Sequence, residues 1–157
     1  MTRTVLDLER YAPALINFIS NKLSRGASEI YRRRFGIGIV DWRVMSLLAV
    51  EEGITSNRVC DVIGLDKAAV SRALKHLEAQ GLVTVARHPG DARRYTLQLT
   101  NEGYALHDEI IVVALERERQ LLSDFSAQEV DTLLILLHRM HTNIVAIDAH
   151  SGRDGEE

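Results

Sequence analysis

Apolar residues in the first third of the chain recur every three or four positions. Over residues 8–35 this spacing predicts one long amphipathic helix, with Pro13 near its start or at a kink. After a break at residues 36–38, a second apolar run with Asp41 in its first turn predicts a second helix, which we expect Gly53 to end.

Two short helical segments follow, separated by a tight turn. Thr55 is a good N-cap for a third helix, and Gly64 supplies the left-handed residue expected just past its end. Asp66 can cap a fourth helix that runs to about residue 80 and stops at Gly81. This order predicts a helix, a tight turn and a helix.

The period of the pattern then changes from helical to alternating. Val83 and Val85 alternate with polar residues, and residues 88–91 have turn chemistry before a second alternating run at 95–99, so we expect a β-hairpin. A fifth helix is predicted from Thr100 to about residue 122, and a capping box at 126–129 opens a sixth that ends near residue 149. The predicted fold is mainly α with a small β-hairpin.

The last two helices carry continuous apolar runs. Residues 110–115 and 133–137 cover every side of their helices, and a helix that is apolar all round must be buried on all sides. Because six helices in one small chain offer few such places, we predict a two-fold homodimer. The alternative is an unusually well-covered monomer core.

Composition narrows the class of protein. The chain has 157 residues, 46% of them hydrophobic and 26% charged, which excludes a disordered or disulfide-stapled chain. The single cysteine, an N-terminus without a signal-peptide pattern, and the lack of a run near 20 apolar residues predict a cytoplasmic protein without a membrane partner. The net charge is −3, but residues 55–100 hold seven basic against four acidic residues, so positive charge is concentrated there.

That positive segment has one face suited to DNA. On the fourth helix, Ala68, Ser71, Arg72 and Lys75 lie opposite the apolar side. Small residues let a helix approach the floor of a DNA groove, while arginine and lysine reach guanine edges or phosphates. Taken alone, the face also fits an ordinary solvated helix surface.

The hairpin adds a second cationic element. Arg87, Arg93 and Arg94 flank its tip, and arginine on a thin hairpin can enter the narrow minor groove. We expect Asp91 to hold one guanidinium group by a bidentate pair. Helix and hairpin together predict a binding site for double-stranded DNA.

Several segments resemble the MarR family of bacterial transcription regulators over residues 8–149. These segments are Asp41-Trp42-Arg43-Val44, residues 65–72 and 77–83, Asp91-Ala92-Arg93-Arg94, and residues 97–103. The resemblance implies a winged helix-turn-helix lobe at residues 37–100, a helical dimerisation lobe at residues 5–36 and 101–149, and a polar tail at residues 150–157. It also implies repression at a pseudo-palindromic operator, with release by a small aromatic or phenolic anion or its thioester.

By position, the resemblance assigns major-groove reading to Ser71, Arg72 and Lys75, minor-groove entry to Arg93, and orientation of the wing to Asp91. The complete predicted DNA-binding set is Ser56, Asn57, Lys67, Ala68, Ser71, Arg72, Lys75, Arg87, Asp91, Arg93 and Arg94.

An effector pocket between the first, second and fifth helices is also implied. The candidate contacts are Asn17, Asn21, Trp42, Arg43 and His107, because an arginine with an indole suits an aromatic carboxylate. The alternative roles are a core position for Trp42, a structural ion pair for Arg43, and simple solvation for Asn21.

Other chemistry finds little support. Cys60 lies on the apolar face of the third helix, as a small buried thiol would. His138 and His141 are one turn apart but lack a third metal ligand, so we predict surface histidines, no metal, no cofactor and no enzyme activity. The main alternative to a DNA-binding regulator is a winged-helix protein-interaction module. A small hydrolase or metal-dependent enzyme is a more distant one.

Overall fold

The computed structural model describes residues 3–88 and 90–151, so Pro89 of the predicted turn and residues 152–157 of the predicted tail lie outside it. Its elements are α1 (Ala12–Phe35), α2 (Ile39–Val50), α3 (Ser56–Ile63), α4 (Lys67–Ala79), β1 (Val83–His88), β2 (Asp91–Leu99), α5 (Asn101–Leu121) and α6 (Ala127–Ser151). The mainly helical fold with one hairpin is confirmed. No helix among the described residues is long and apolar enough to cross a membrane.

Two helix ends differ from their predicted positions. α1 begins at Ala12 instead of near residue 8, so Pro13 lies in its first turn, where the missing amide hydrogen removes no helical bond. α2 ends at Val50, and Gly53, with φ of 70°, lies in the turn beyond it. A glycine that adopts a left-handed conformation marks a turn, but it need not be the residue that ends the helix.

The predicted helix caps are present as hydrogen bonds. Thr55 Oγ1 accepts from the amide of the third residue beyond it at 3.3 Å, and Asp66 Oδ1 does so at 2.7 Å. At the start of α6, Ser126 donates through its amide and its hydroxyl to Glu129 Oε2, at 2.8 and 2.9 Å. Thr100 Oγ1 accepts from the amide of Gly103 at 2.9 Å and so caps α5.

The sheet is one antiparallel hairpin. β1 and β2 pair from Val83↔Leu99 to Arg87↔Tyr95, and the register shifts between Arg87 and His88. Val83 and Leu99 are buried at the base of the hairpin, whereas Arg87, Gly90 and Arg93 near its tip are exposed. The tip therefore projects away from the core.

The chain divides into two compact units, Met1–Ala114 and a second that begins at Leu115, within α5. The core of the first unit is built around α2, and its fully buried side chains include Val44, Met45, Leu48, Val59, Leu77 and Ile110. In the second unit, α6 leaves much of its apolar surface exposed, including Leu134, Ile135, Leu136 and Leu137.

Candidate nucleic-acid interface

The fourth helix has one buried and one exposed face. Val70, Ala73 and Leu77 are buried in the core of the first unit. The residues predicted to face DNA are all exposed, namely Lys67, Ala68, Ser71, Arg72 and Lys75. The burial pattern follows from the helical period, which places residues 70, 73 and 77 on one side.

The start of α3 lies beside this face. Ser56 and Asn57 are exposed in the first turn of α3, and they line a groove of about 250 Å³ together with Lys67, Ser71 and Lys75 of α4. Half-buried Cys60 also lines the groove and packs against the core, so the prediction of a buried thiol is only partly correct. The structure thus brings the predicted α3 and α4 residues together.

The hairpin tip carries its cations on the surface, but Asp91 does not bind them as predicted. Arg87, Arg93 and Arg94 are exposed. Asp91 Oδ1 accepts a hydrogen bond from the backbone amide of Arg93 at 3.0 Å, and no ion pair joins Asp91 to a guanidinium group within the described residues. The short aspartate side chain reaches the amide two residues on more easily than it reaches a long, mobile guanidinium group. Asp91 therefore shapes the turn backbone.

Most of the basic residues in this region keep their charge uncompensated. Arg58 is the exception, since its guanidinium group forms two 2.9 Å hydrogen bonds to Glu51, which lower the pKa of Glu51 and raise the pKa of Arg58. In the part of the chain that the structure describes, the six other cations of residues 55–100 have no carboxylate within 4.0 Å. This favours an anionic partner for the surface.

A partly buried contact that the sequence pattern did not reveal joins α4 to the start of α2. Asp41 is 8% exposed, and its Oδ2 accepts from the amide of Gly38 at 2.8 Å and from His76 Nδ1 at 3.0 Å. The prediction for Asp41 covered only its place in the first helical turn. No local signal relates two residues 35 positions apart.

The five predicted effector contacts fall into two groups. Trp42 is half-buried, with the ring of His107 stacked on it at 5.3 Å between centroids and the ring of Tyr31 edge-on at 6.0 Å. Arg43 Nη2 donates to the hydroxyl of Ser24 at 2.7 Å, so the suggested ion pair is replaced by a neutral partner.

Asn17 and Asn21 form the second group and are exposed on α1. They precede Ser24 at helical spacing and so share its side of the helix, but among the described residues no hydrogen bond or ring contact joins them to the aromatic cluster. At the other end of the chain, His138 and His141 are exposed. Among the described residues no group of three potential metal ligands occurs.

Comparison with known proteins assigns the family. The profile of the MarR family matches residues 35–94. The crystal structure of a MarR/EmrR family transcriptional regulator from Acinetobacter sp. ADP1 is 38% identical, with a TM-score of 0.84, over 90% of this chain and 99% of that one. The chain belongs to the MarR family.

Two further relatives agree with this MarR-family assignment. A mutant MarR from E. coli, crystallised in complex with operator DNA, is 26% identical with a TM-score of 0.74 over 87% of this chain and 99% of that one. The HTH-type transcriptional regulator YdgJ of Bacillus subtilis (strain 168) is 33% identical over 117 residues, which are 73% of this chain and 70% of that protein. This MarR-family chain is therefore a DNA-binding transcriptional regulator, and neither the enzyme nor the interaction-module alternative has support.

Proposed function

We propose that this regulator is a homodimeric repressor that binds a pseudo-palindromic operator and is released by a small aromatic or phenolic anion or its thioester. The observation that carries the proposal is the exposed face of α4 beside the start of α3, whose cations have no carboxylate within 4.0 Å among the described residues. Residues 37–100 would form the DNA-binding lobe, and residues 5–36 with 101–149 the dimerisation lobe.

The proposed DNA contacts follow from the shape of each element. Ser71, Arg72 and Lys75 lie along the exposed side of α4, which has the width to enter a major groove. Arg93 and Arg94 lie in β2 between Asp91 and Tyr95, where the register with β1 shifts, and both are exposed. Arg93 is the residue proposed to enter the minor groove, which leaves Arg94 for the phosphate backbone.

Exposed apolar surface supports the dimer. In α1 and the segment before it, Leu6, Leu8, Ile16 and Ile19 are between 44% and 61% exposed. In α6, Ile135, Ile144 and Val145 are between 53% and 67% exposed. Apolar patches beyond a few hundred Å² are rare on monomers, and a second copy of the chain would cover both sets.

Arg43 supports an anionic effector. Its guanidinium group contacts only the neutral Ser24 hydroxyl among the contacts found in the described residues, and its neighbour Trp42 belongs to an aromatic cluster. A planar carboxylate could pair with the guanidinium group while its ring packs on the cluster.

The test of DNA binding begins with operator selection from a random duplex library. We expect enrichment of a two-fold symmetric site whose half-sites are about one helical turn apart, and sedimentation of the protein as a dimer at micromolar concentration. A stable monomer, or enrichment of a single half-site, would overturn the dimer. Loss of expression from a reporter on deletion of the regulator, instead of a gain, would overturn the repressor role.

The test of the effector uses matched acids. Benzoate and its thioesters should weaken operator binding, whereas cyclohexanecarboxylate, which has the charge but no aromatic ring, should act less. The variant Arg43→Gln, which keeps a donor for Ser24, should lose the response. A panel of aromatic acids and thioesters that leaves the Kd for operator unchanged would refute the effector while leaving DNA binding intact.

A further inference from the structure

Three consecutive arginines, Arg32, Arg33 and Arg34, end α1 and are exposed. They lie outside residues 55–100, where the charge pattern predicts the DNA surface. Cations in the last turn of a helix interact favourably with its dipole, and this explains their presence in part. The helix dipole does not explain why Arg32 lies beside α4.

Arg32 and Arg72 line one groove. It has a volume of about 210 Å³, and its walls come from the end of α1, from residues 38–41 at the start of α2, and from Ala69, Arg72 and Ala73 of α4. The Arg32 guanidinium group lies close to position 38, since a Cβ added to Gly38 would be 3.4 Å from Arg32 Nε. Because the groove is smaller than a typical small-molecule pocket of about 300–1,000 Å³, it suits a group presented by a larger ligand.

The charges of this groove are unbalanced. Neither Arg32 nor Arg72 has a carboxylate within 4.0 Å among the residues that the structure describes. Asp41 also lines the groove, but its Oδ2 already accepts from Gly38 and His76. On the neighbouring side of α1, Arg25 and Arg33 line a second shallow groove with Arg32, against one acidic residue, Glu29.

We propose that Arg32 binds a phosphate of the DNA backbone and so extends the DNA-binding surface from α4 onto the end of α1. This rests on the proposed function, in which α4 enters the major groove. Phosphates line both edges of the DNA major groove, so a cation beside α4 would lie near one of them. A phosphate contact adds affinity on any sequence and adds no base specificity.

The test compares two arginine variants on the same helix. Each phosphate contact contributes a slope of about 0.9 to the dependence of log K on log salt, so its loss weakens binding about eightfold at 0.1 M salt relative to 1 M. Arg32→Ala should show this loss for each protomer bound, equally on operator and on random duplex. Arg34→Ala removes the same charge from another side of α1, where the guanidinium group lies 5.1 Å from the centre of the Phe35 ring. This variant should change neither the DNA affinity nor the salt slope. Arg32→Lys should keep most of the slope.

Three results separate the possible explanations. A folded Arg32→Ala variant with the wild-type salt slope would overturn the proposal, as would equal losses in Arg32→Ala and Arg34→Ala, which indicate a general field effect. If the alanine variant fails to fold, Arg32→Gln is measured instead, on operators in which single phosphates are replaced by neutral methylphosphonates. One replacement should weaken the wild type and leave Arg32→Gln unaffected, and no such position would refute the contact.

The same titrations show whether the proposed function itself has failed. Unchanged operator affinity in Arg72→Ala and Arg93→Ala would remove the α4 and hairpin surface altogether. Weaker binding in those two variants, with no change in Arg32→Ala, would reject only the extension onto α1.

Discussion

The packing of α5 against the base of the hairpin requires a glycine at position 103, and replacing Gly103 tests that packing directly. Gly103 is buried in the first turn of α5, where a Cβ would lie 2.1 Å from the carbonyl oxygen of Leu82 and 3.2 Å from Leu99 Cδ2. A carbon and a carbonyl oxygen rarely approach closer than about 3.3 Å, so Gly103→Ala must move α5 away from Leu82 by about 1.2 Å.

The expected loss of stability follows from what that movement disturbs. The amide of Thr100 donates to Leu82 O at 3.0 Å, and the Thr100 hydroxyl donates to Gly81 O at 2.7 Å. Overpacking costs about 1–3 kcal/mol and a weakened hydrogen bond about 1 kcal/mol, while the better helix propensity of alanine returns up to about 1 kcal/mol. We expect a net loss of about 1–4 kcal/mol, and a fall in Tm of about 2–16 °C.

Urea unfolding followed by circular dichroism measures this loss, with all proteins at one protomer concentration because association contributes to apparent stability. Gly90→Ala is the matched control, since the Cβ added there meets only the His88 ring, at 3.5 Å. We expect its free energy of unfolding to stay within about 1 kcal/mol of the wild type. A Gly103→Ala protein with the wild-type urea midpoint would show that α5 and β1 are not packed as described.

Three further predictions concern the wing and the start of α6. Arg93→Ala should weaken operator binding by about 1–3 kcal/mol in a titration of fluorescent operator, and unchanged binding would remove this arginine from the interface. Asp91→Ala should weaken binding with little change in salt slope, because it releases the Arg93 amide without removing a cation; a large slope change would contradict that role. Ser126 lowers the pKa of Glu129 by donating to its carboxylate, so this interaction stabilises the fold fully above the unfolded-state pKa of about 4.3 and is lost as pH falls through the folded-state pKa. Glu129→Gln should therefore be less stable than the wild type at neutral pH, and the difference should shrink as pH falls through the folded-state pKa of Glu129, as read from urea midpoints; a constant difference between the two proteins would refute this.

Features that depend on neighbouring residues were predictable from the sequence. The caps at Thr55, Asp66 and Ser126 each use a hydrogen bond across three residues, so the residue type and the spacing are sufficient to find them. The exposed side of α4 follows in the same way from helical periodicity.

Features that depend on distant residues were not predictable. Arg58 belongs to the basic segment by sequence, yet it is paired with Glu51 because α3 folds back beside the end of α2. Arg32 is distant from the basic residues of α4 in the sequence, and only the fold places it in a groove with Arg72. The sequence pattern therefore included one cation that is paired with a carboxylate and omitted one, Arg32, that has no carboxylate within 4.0 Å among the described residues.

The position of α2 connects the proposed effector residues to the DNA-binding face by a short path. Asp41 directly precedes Trp42, and its carboxylate can only accept, so His76 Nδ1 carries the proton in the bond that holds α4. Gln80 completes the arrangement, since its Nε2 lies 2.7 Å from His76 Nε2 and donates to it. Under the proposed function, an effector anion at Trp42 would act one residue away from the carboxylate that bonds to α4. A hydrogen bond of 3.0 Å tolerates little displacement, so a shift of about 1 Å in α2 would either move α4 with it or break the contact.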